Sequence, residues 1–160
     1  MKSQLEVQFI EMLNKNKNAF YKLAYSYVKN EANALDMIGE ATYSALNALP
    51  TLRNSKYMKT WFYRILINTC NQFLRKNRNI IYEMDLINNI PSNECDIESI
   101  IDLHNAISKL KSPYKETIIL KYFQQLTIAE ISQVLNKNQN TIKSYLRRGI
   151  TQLKKFLGGN

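Results

Sequence analysis

The chain has little that would staple or break it. Its 160 residues include two cysteines, Cys70 and Cys95. Two cysteines make no disulfide framework, and these lack metal-ligand spacing. Cys70 falls in an apolar helical pattern and reads as a small core residue. Glycine and proline number four and three, and two of the glycines stand near the C-terminal end. The single histidine, His104, has no evident partner. No Ser/His/Asp set or carboxylate pair stands out, so no catalytic residues are expected and the chain is not read as an enzyme. There is no glycine-rich phosphate loop. No cofactor, metal or small-molecule substrate is expected. No apolar run approaches the ~18 residues needed to span a bilayer. Met1-Lys2-Ser3-Gln4 lacks the apolar core of a signal peptide, so the expected location is cytoplasmic.

Positive charge is what the chain does have. The net charge is +9 and the pI about 9.5. Residues 53–78 carry seven Lys/Arg and no acid, and residues 131–160 carry six and no acid. Residues 79–108 between them hold six acids and no Lys or Arg. Two basic stretches on one tether point to two polyanion-binding surfaces. Charge alone leaves nucleic acid, an anionic membrane and a generic basic protein open.

Apolar residues recur at helical spacing almost throughout, which makes the class all-α. Phe20, Leu23, Ala24, Tyr27 and Val28 fall on one face. A second helix is predicted over residues 31–49, with Leu35, Ile38, Thr42, Ala45, Leu46 and Leu49 on its apolar stripe; Pro50 ends it. Residues 51–57 read as a loop. A long helix over residues 57–78 runs through Trp61, Phe62, Ile65, Leu66, Thr69, Cys70 and Phe73, with a basic, Asn-rich opposite face. Periodicity is lost from Asn79 to Pro91, which places a linker there, continuing to about Ser99. Helices resume with Ile100, Leu103, Ile107 and Leu110. The next starts at Ser112-Pro113, with Ser as cap, Pro at the first helical position and Glu116 completing a box-like pattern.

Near the C-terminus, Thr127 and Glu130 form a capping-box pattern ahead of a short helix. Ile128, Ile131 and Leu135 supply its buried face. Asn136-Lys137-Asn138 makes a turn, and a last helix follows with Ile142, Leu146, Ile150, Leu153 and Leu157 inward. Two helices on a tight turn, the second basic, form the helix-turn-helix pattern. Asn136 stands where a glycine is usual, and Asn tolerates the left-handed conformation. Gln139, Asn140, Thr141, Lys143, Ser144, Arg147 and Arg148 lie at or near the start of that helix. Arg and Lys read guanine edges, and Asn and Gln read adenine edges or bind phosphate. A solvated face of an ordinary hairpin is the plain alternative.

Lys59-Thr60-Trp61-Phe62-Tyr63-Arg64 mixes aromatic and basic side chains, and Asn68, Asn71, Gln72, Arg75, Lys76 and Arg78 follow on the same helix. Aromatic faces suit unpaired bases, and cations suit phosphates. Trp61, the single tryptophan, reads equally as a core residue or a base contact.

In this order, the segments 24–30, 36–43, 59–71 and 126–153 closely resemble the extracytoplasmic-function sigma factors of bacterial RNA polymerase. The resemblance spans roughly Phe20 to Leu157. It implies two small helical domains on a flexible acidic linker: residues 1–80 for core-polymerase binding and −10 melting, 81–99 for the linker, and 100–160 for −35 recognition by the helix-turn-helix. It implies RNA polymerase core and promoter DNA as partners, with an anti-sigma factor, often membrane-anchored. The helix over 31–49 would dock on polymerase through Asp36, Gly39, Glu40 and Tyr43; relatives often have Gln where Gly39 stands. Arg53, Asn54, Ser55 and Lys56 match the loop that captures a flipped base. Lys59, Trp61, Arg64, Asn68, Asn71, Gln72, Arg75 and Lys76 would line the melted strand. The acidic linker would pass through the polymerase RNA path, where its charge could mimic RNA. Gln139 to Arg148 would enter the major groove, with Tyr145 in place of the family's common arginine. A helix-turn-helix regulator without polymerase-directing activity is the alternative; it would leave the Trp61 helix and the linker idle.

Overall fold

The computed structural model describes residues 3–77, 103 and 105–158. The chain divides into two compact units, Met1–Asn88 and Asn89–Asn160. The expected linker over 81–99 lies outside the described residues, as do Arg78, Cys95, Ile100 and His104. Among the described residues there is no strand, so the all-α reading holds.

The N-terminal unit opens with a helix that the periodicity reading did not place. In α1 (Gln4–Lys15), a capping box closes the first turn. The Glu6 amide donates to Ser3 Oγ at 3.2 Å, and the Ser3 amide donates to the Glu6 carboxylate at 3.3 Å. Phe9 is its fully buried anchor. Helix α2 (Lys17–Val28) buries Phe20, Leu23, Ala24, Tyr27 and Val28, the same five that spacing predicts. Lys29 leaves it in the left-handed region at φ 54°. Asn30 then caps α3 (Glu31–Ala48), its side chain accepting from the Asn33 amide at 2.9 Å.

Helix α3 corrects the sequence reading. Its buried stripe is Ala34, Met37, Ala41 and Ala45, followed by Leu49. Leu35 and Leu46, expected inward, are 55% and 41% exposed. Small alanines let α3 approach α2 and α4 closely, the two helices it packs against. Only Ala45 and Leu49 of the predicted stripe are buried; Ile38 and Thr42 are half-buried.

Two 3₁₀ turns, Leu49–Thr51 and Ser55–Tyr57, lead to α4 (Met58–Lys76). It buries Met58, Thr60, Phe62, Tyr63, Leu66, Ile67 and Cys70, while Trp61, Ile65, Thr69 and Phe73 are half-buried. Phe62 meets Phe9 and Phe20 edge-on at 5.6 and 4.8 Å, and Tyr63 meets Phe20 at 5.0 Å. Each such ring pair adds about 0.5–1.5 kcal/mol beyond the area it buries.

In the C-terminal unit, residues 105–109 are helical, and Ala106, Ile107 and Leu110 are buried. The expected cap at Ser112 is not made. Pro113, not Ser112, occupies the cap position of α5 (Tyr114–Ile118), and no side chain caps the turn. Ser112 Oγ instead donates to the Glu116 carboxylate. Helix α5 continues as a π-helical turn, Ile119–Phe123, in which the Gln124 amide donates to the Ile119 carbonyl at 3.0 Å.

Helix α6 (Ile128–Leu135) starts with the expected Thr127/Glu130 capping box, at 3.1 and 3.0 Å. Its buried residues are Ile131 and Val134; Ile128 and Leu135 are only half-buried. Asn136 takes the left-handed conformation, φ 55° and ψ 48°, as expected. Asn138 caps α7 (Gln139–Phe156) by accepting from the Thr141 amide at 2.8 Å. Ile142, Leu146 and Gly149 are buried, Ile150 and Leu153 half-buried, and Leu157 is 48% exposed rather than inward. Leu157 follows the last residue of the helix, so the helical register no longer holds it against the core.

Candidate nucleic-acid interface

Three outward faces hold the residues that the sequence singled out. The first is on α3. Asp36, Gly39, Glu40 and Tyr43 are all exposed, and their spacing puts them on one side of the helix. Tyr43 is 70% exposed, and Leu35 and Leu46 flank it. A side chain at Gly39 would meet nothing within 4 Å, so packing does not require glycine there. Beside this face, Tyr21, Tyr25, Lys29, Glu31 and Leu35 line an open groove. Burial pushes the Tyr21 hydroxyl above its usual value of 10.0, with further rises from Glu31 and Tyr25.

The second face joins residues 53–59 to α4. Arg53, Asn54, Ser55 and Lys56 are exposed, and Lys59 is half-buried. Asn54 fixes the turn by accepting from the Lys56 amide at 3.0 Å. The Lys56 ammonium lies 5.9 Å from the Tyr57 ring centre, within cation–π range. Along α4, Arg64, Asn68, Gln72, Arg75 and Lys76 are exposed and Asn71 is half-buried. Residues 64, 68, 72 and 76 recur every four positions, roughly one helical turn. The structure therefore collects these polar groups in a row on one side.

The aromatics divide differently from expectation. Phe62 and Tyr63 are core residues and present no ring face to a base. Trp61 is half-buried, edge-on to Phe9 at 6.3 Å, so it both packs and presents surface.

The third face is the start of α7. Gln139, Asn140, Lys143, Arg147 and Arg148 are exposed; Thr141 and Ser144 are half-buried. Tyr145 meets Tyr114 edge-on at 5.7 Å, so its ring helps hold α7 against α5. Sequence reasoning missed the outward role of Leu35 and Leu46, and the groove that α1 forms with residues 54–59. The Ser3-x-x-Glu6 pattern was the available signal for α1.

An all-α chain of two units, with a helix-turn-helix in the second and outward cationic faces on both, defines the class: a two-domain DNA-binding protein. Residues 12–80 match Sigma-70 region 2, and residues 100–153 match Sigma-70, region 4. The RNA polymerase sigma factor SigV of Bacillus subtilis is 35% identical over 154 residues, covering 96% of this chain and 93% of that protein. The ECF RNA polymerase sigma factor SigW of the same species is 27% identical over 165 residues, covering 93% and 88%. Among solved structures, the sigma factor RpoE in complex with the anti-sigma factor NepR from Bartonella quintana has the same fold. The TM-score is 0.72 at 21% identity, covering 94% of this chain and 96% of that one. The chain belongs to the extracytoplasmic-function sigma factors of bacterial RNA polymerase. It is an alternative sigma factor, a transcription initiation factor that directs RNA polymerase to promoters.

Proposed function

We propose that the three faces divide the work of initiation among them. The α3 face, Asp36, Gly39, Glu40 and Tyr43 with exposed Leu35 and Leu46, docks on the polymerase core. Residues 53–56 and Lys59, with Trp61, Arg64, Asn68, Asn71, Gln72, Arg75 and Lys76, take the melted −10 strand. Gln139, Asn140, Thr141, Lys143, Ser144, Arg147 and Arg148 read the −35 duplex. The working division is 1–80, a linker over 81–99, and 100–160. The single observation that carries the reading is the order of outward faces: an apolar-acidic one on α3, a cationic-amide row on α4, and a cationic one at the start of a helix-turn-helix.

The energetics are consistent with opening driven by binding. Extruding a base costs on the order of a few kcal/mol. Stacking on protein recovers ~1–3 kcal/mol per base, and phosphate contacts add to it. The proposed location is cytoplasmic; among the described residues no helix is long and apolar enough to cross a membrane. An anti-sigma factor is the proposed regulator, in keeping with the sigma factor–anti-sigma factor complexes that share the fold.

Promoter-specific transcription with purified core polymerase tests the assignment. Lys143→Ala and Arg147→Ala should each weaken promoter binding about tenfold, within the ~1–3 kcal/mol of a good base contact. Unchanged affinity across −35 variants would remove the role given to α7.

A further inference from the structure

Helix α1 is joined to the rest of the N-terminal unit by few anchors. Of its 12 residues, Phe9 alone is fully buried. Ile10, Met12 and Leu13 are half-buried, and Val7 is 43% exposed. Helices α2, α3 and α4 pack on one another, and Phe20 meets Phe62 at 4.8 Å and Tyr63 at 5.0 Å without α1. The Sigma-70 region 2 match starts at Met12, so Phe9 precedes it.

The helix also closes its own ends. The Ser3/Glu6 capping box holds its first turn. At the other end, the Asn16 amide and Asn16 Nδ2 both donate to the Met12 carbonyl, at 3.1 and 2.9 Å. Asn16 is the last cap of α1 and the first of α2, at φ −112° and ψ 19°, outside regular helical values. Its side chain serves α1 and makes no cap on α2. A self-capped helix on one non-helical residue is a rigid arm on a hinge.

The arm covers particular groups. Phe9 lies edge-on to Trp61 at 6.3 Å and to Phe62 at 5.6 Å. Residues of α1 also wall a groove of about 590 Å³ with Asn54, Lys56 and Lys59. Glu11 is the single carboxylate in that lining, whereas residues 53–78 contain no acid. Docked, α1 sets a negative charge beside Lys56 and Lys59 and a ring against Trp61.

We propose that α1 is an autoinhibitory strap. It swings out about Asn16 as a unit, withdrawing Phe9 from Trp61 and Glu11 from Lys56 and Lys59, and the melted strand binds the open form. The inference rests on the reading that residues 53–76 face that strand. Phosphates favour cations free of a neighbouring carboxylate, and unpaired bases favour an uncovered aromatic face. In the free chain the open form is a minor state of ~0.1–10%, and the strand's apparent affinity is reduced by that fraction.

Hydrogen exchange on the free full chain reads the hinge. Amides of α1 should be protected about 10- to 1,000-fold, the inverse of the open fraction, and those of α2, α3 and α4 more strongly. Phe9→Ala should lower α1 protection at least about tenfold and leave the other three helices protected. Acrylamide should then quench Trp61, the single tryptophan, more strongly. Loss of protection in all four helices together would make α1 part of the common core and overturn the strap. On the full chain bound to core polymerase, Phe9→Ala should tighten binding of a single-stranded −10 oligonucleotide at least about tenfold. Glu11→Gln, an exposed change that leaves Phe9 seated, should tighten it about two- to fivefold. Unchanged or weaker binding by Phe9→Ala overturns the inference. Arg64→Ala and Arg75→Ala separate the two readings. If they weaken strand binding while Phe9→Ala does not tighten it, only the strap fails. If they too change nothing, the assignment of α4 to the strand fails with it.

Discussion

Gly149 marks a close approach of α7 to α5. A Cβ there would lie 2.9 Å from Ile118 Cγ1 and 3.1 Å from Ile118 Cδ1. Ile118 is 1% exposed, held within the core. Gly39 is the opposite case, with nothing within 4 Å of an added Cβ. Alanine is favoured over glycine by ~1 kcal/mol inside a helix. At Gly39 that preference acts alone, so Gly39→Ala should stabilise the N-terminal unit by about that amount. At Gly149 overpacking of ~1–3 kcal/mol opposes it and should win. Urea unfolding of the two variants checks the opposite signs; a stabilising Gly149→Ala would mean that Ile118 yields freely. The Tyr114–Tyr145 ring pair and the Gly149 approach both hold α7 on α5. They thereby set the direction in which Lys143, Arg147 and Arg148 point.

Helix α3 shows how far the sequence could be read. Its 3.6-residue period admits two stripes, one through Leu35, Ile38, Thr42 and Leu46, the other through Ala34, Met37, Ala41 and Ala45. Side-chain hydrophobicity favours the first, but close packing on α2 and α4 buries the second. Leu35→Gln and Leu46→Gln are therefore expected to change stability by only ~0.5 kcal/mol, as surface changes do. The same variants should weaken core-polymerase binding. Were these leucines core residues, each change would cost ~2–5 kcal/mol; calorimetry beside a core-binding assay separates the cases. In α2, by contrast, the apolar residues form one stripe and burial was fully legible. The α6–α7 turn was legible too, because the capping box and a left-handed Asn136 are local devices. The groove beside α1 was not, because it joins Glu11 to Lys56 across segments distant in sequence. The basic rows on α4 and α7 stood out as candidates for nucleic-acid contact. The burial of Phe62 and Tyr63 depended on partners, Phe9 and Phe20, contributed by other helices.

At the scale of the whole molecule, a net charge of +9 is divided between units that meet different forms of DNA in the proposed function. Each duplex phosphate contact contributes a slope of about −0.9 to log K against log salt, and each single-strand contact about −0.7. If Arg147 makes one phosphate contact, Arg147→Ala should flatten the slope on a −35 duplex probe by about 0.9. Arg64→Ala should leave that probe's slope unchanged and flatten the slope on a single-stranded −10 probe by about 0.7. Anisotropy titrations over a salt series read both. Equal effects of the two variants on both probes would contradict the division of labour.

The outward face of α3 has a consequence for the protein on its own. Leu35, Tyr43 and Leu46 are exposed together on one helix. In the proposed function polymerase covers this surface; without it the surface is open to any apolar neighbour, including another copy of the chain. Like charge keeps copies apart, but added salt shortens its reach to about 8 Å at physiological ionic strength. The charge that draws the chain to nucleic acid is thus also what keeps it dispersed, and a buffer that suppresses the first role weakens the second.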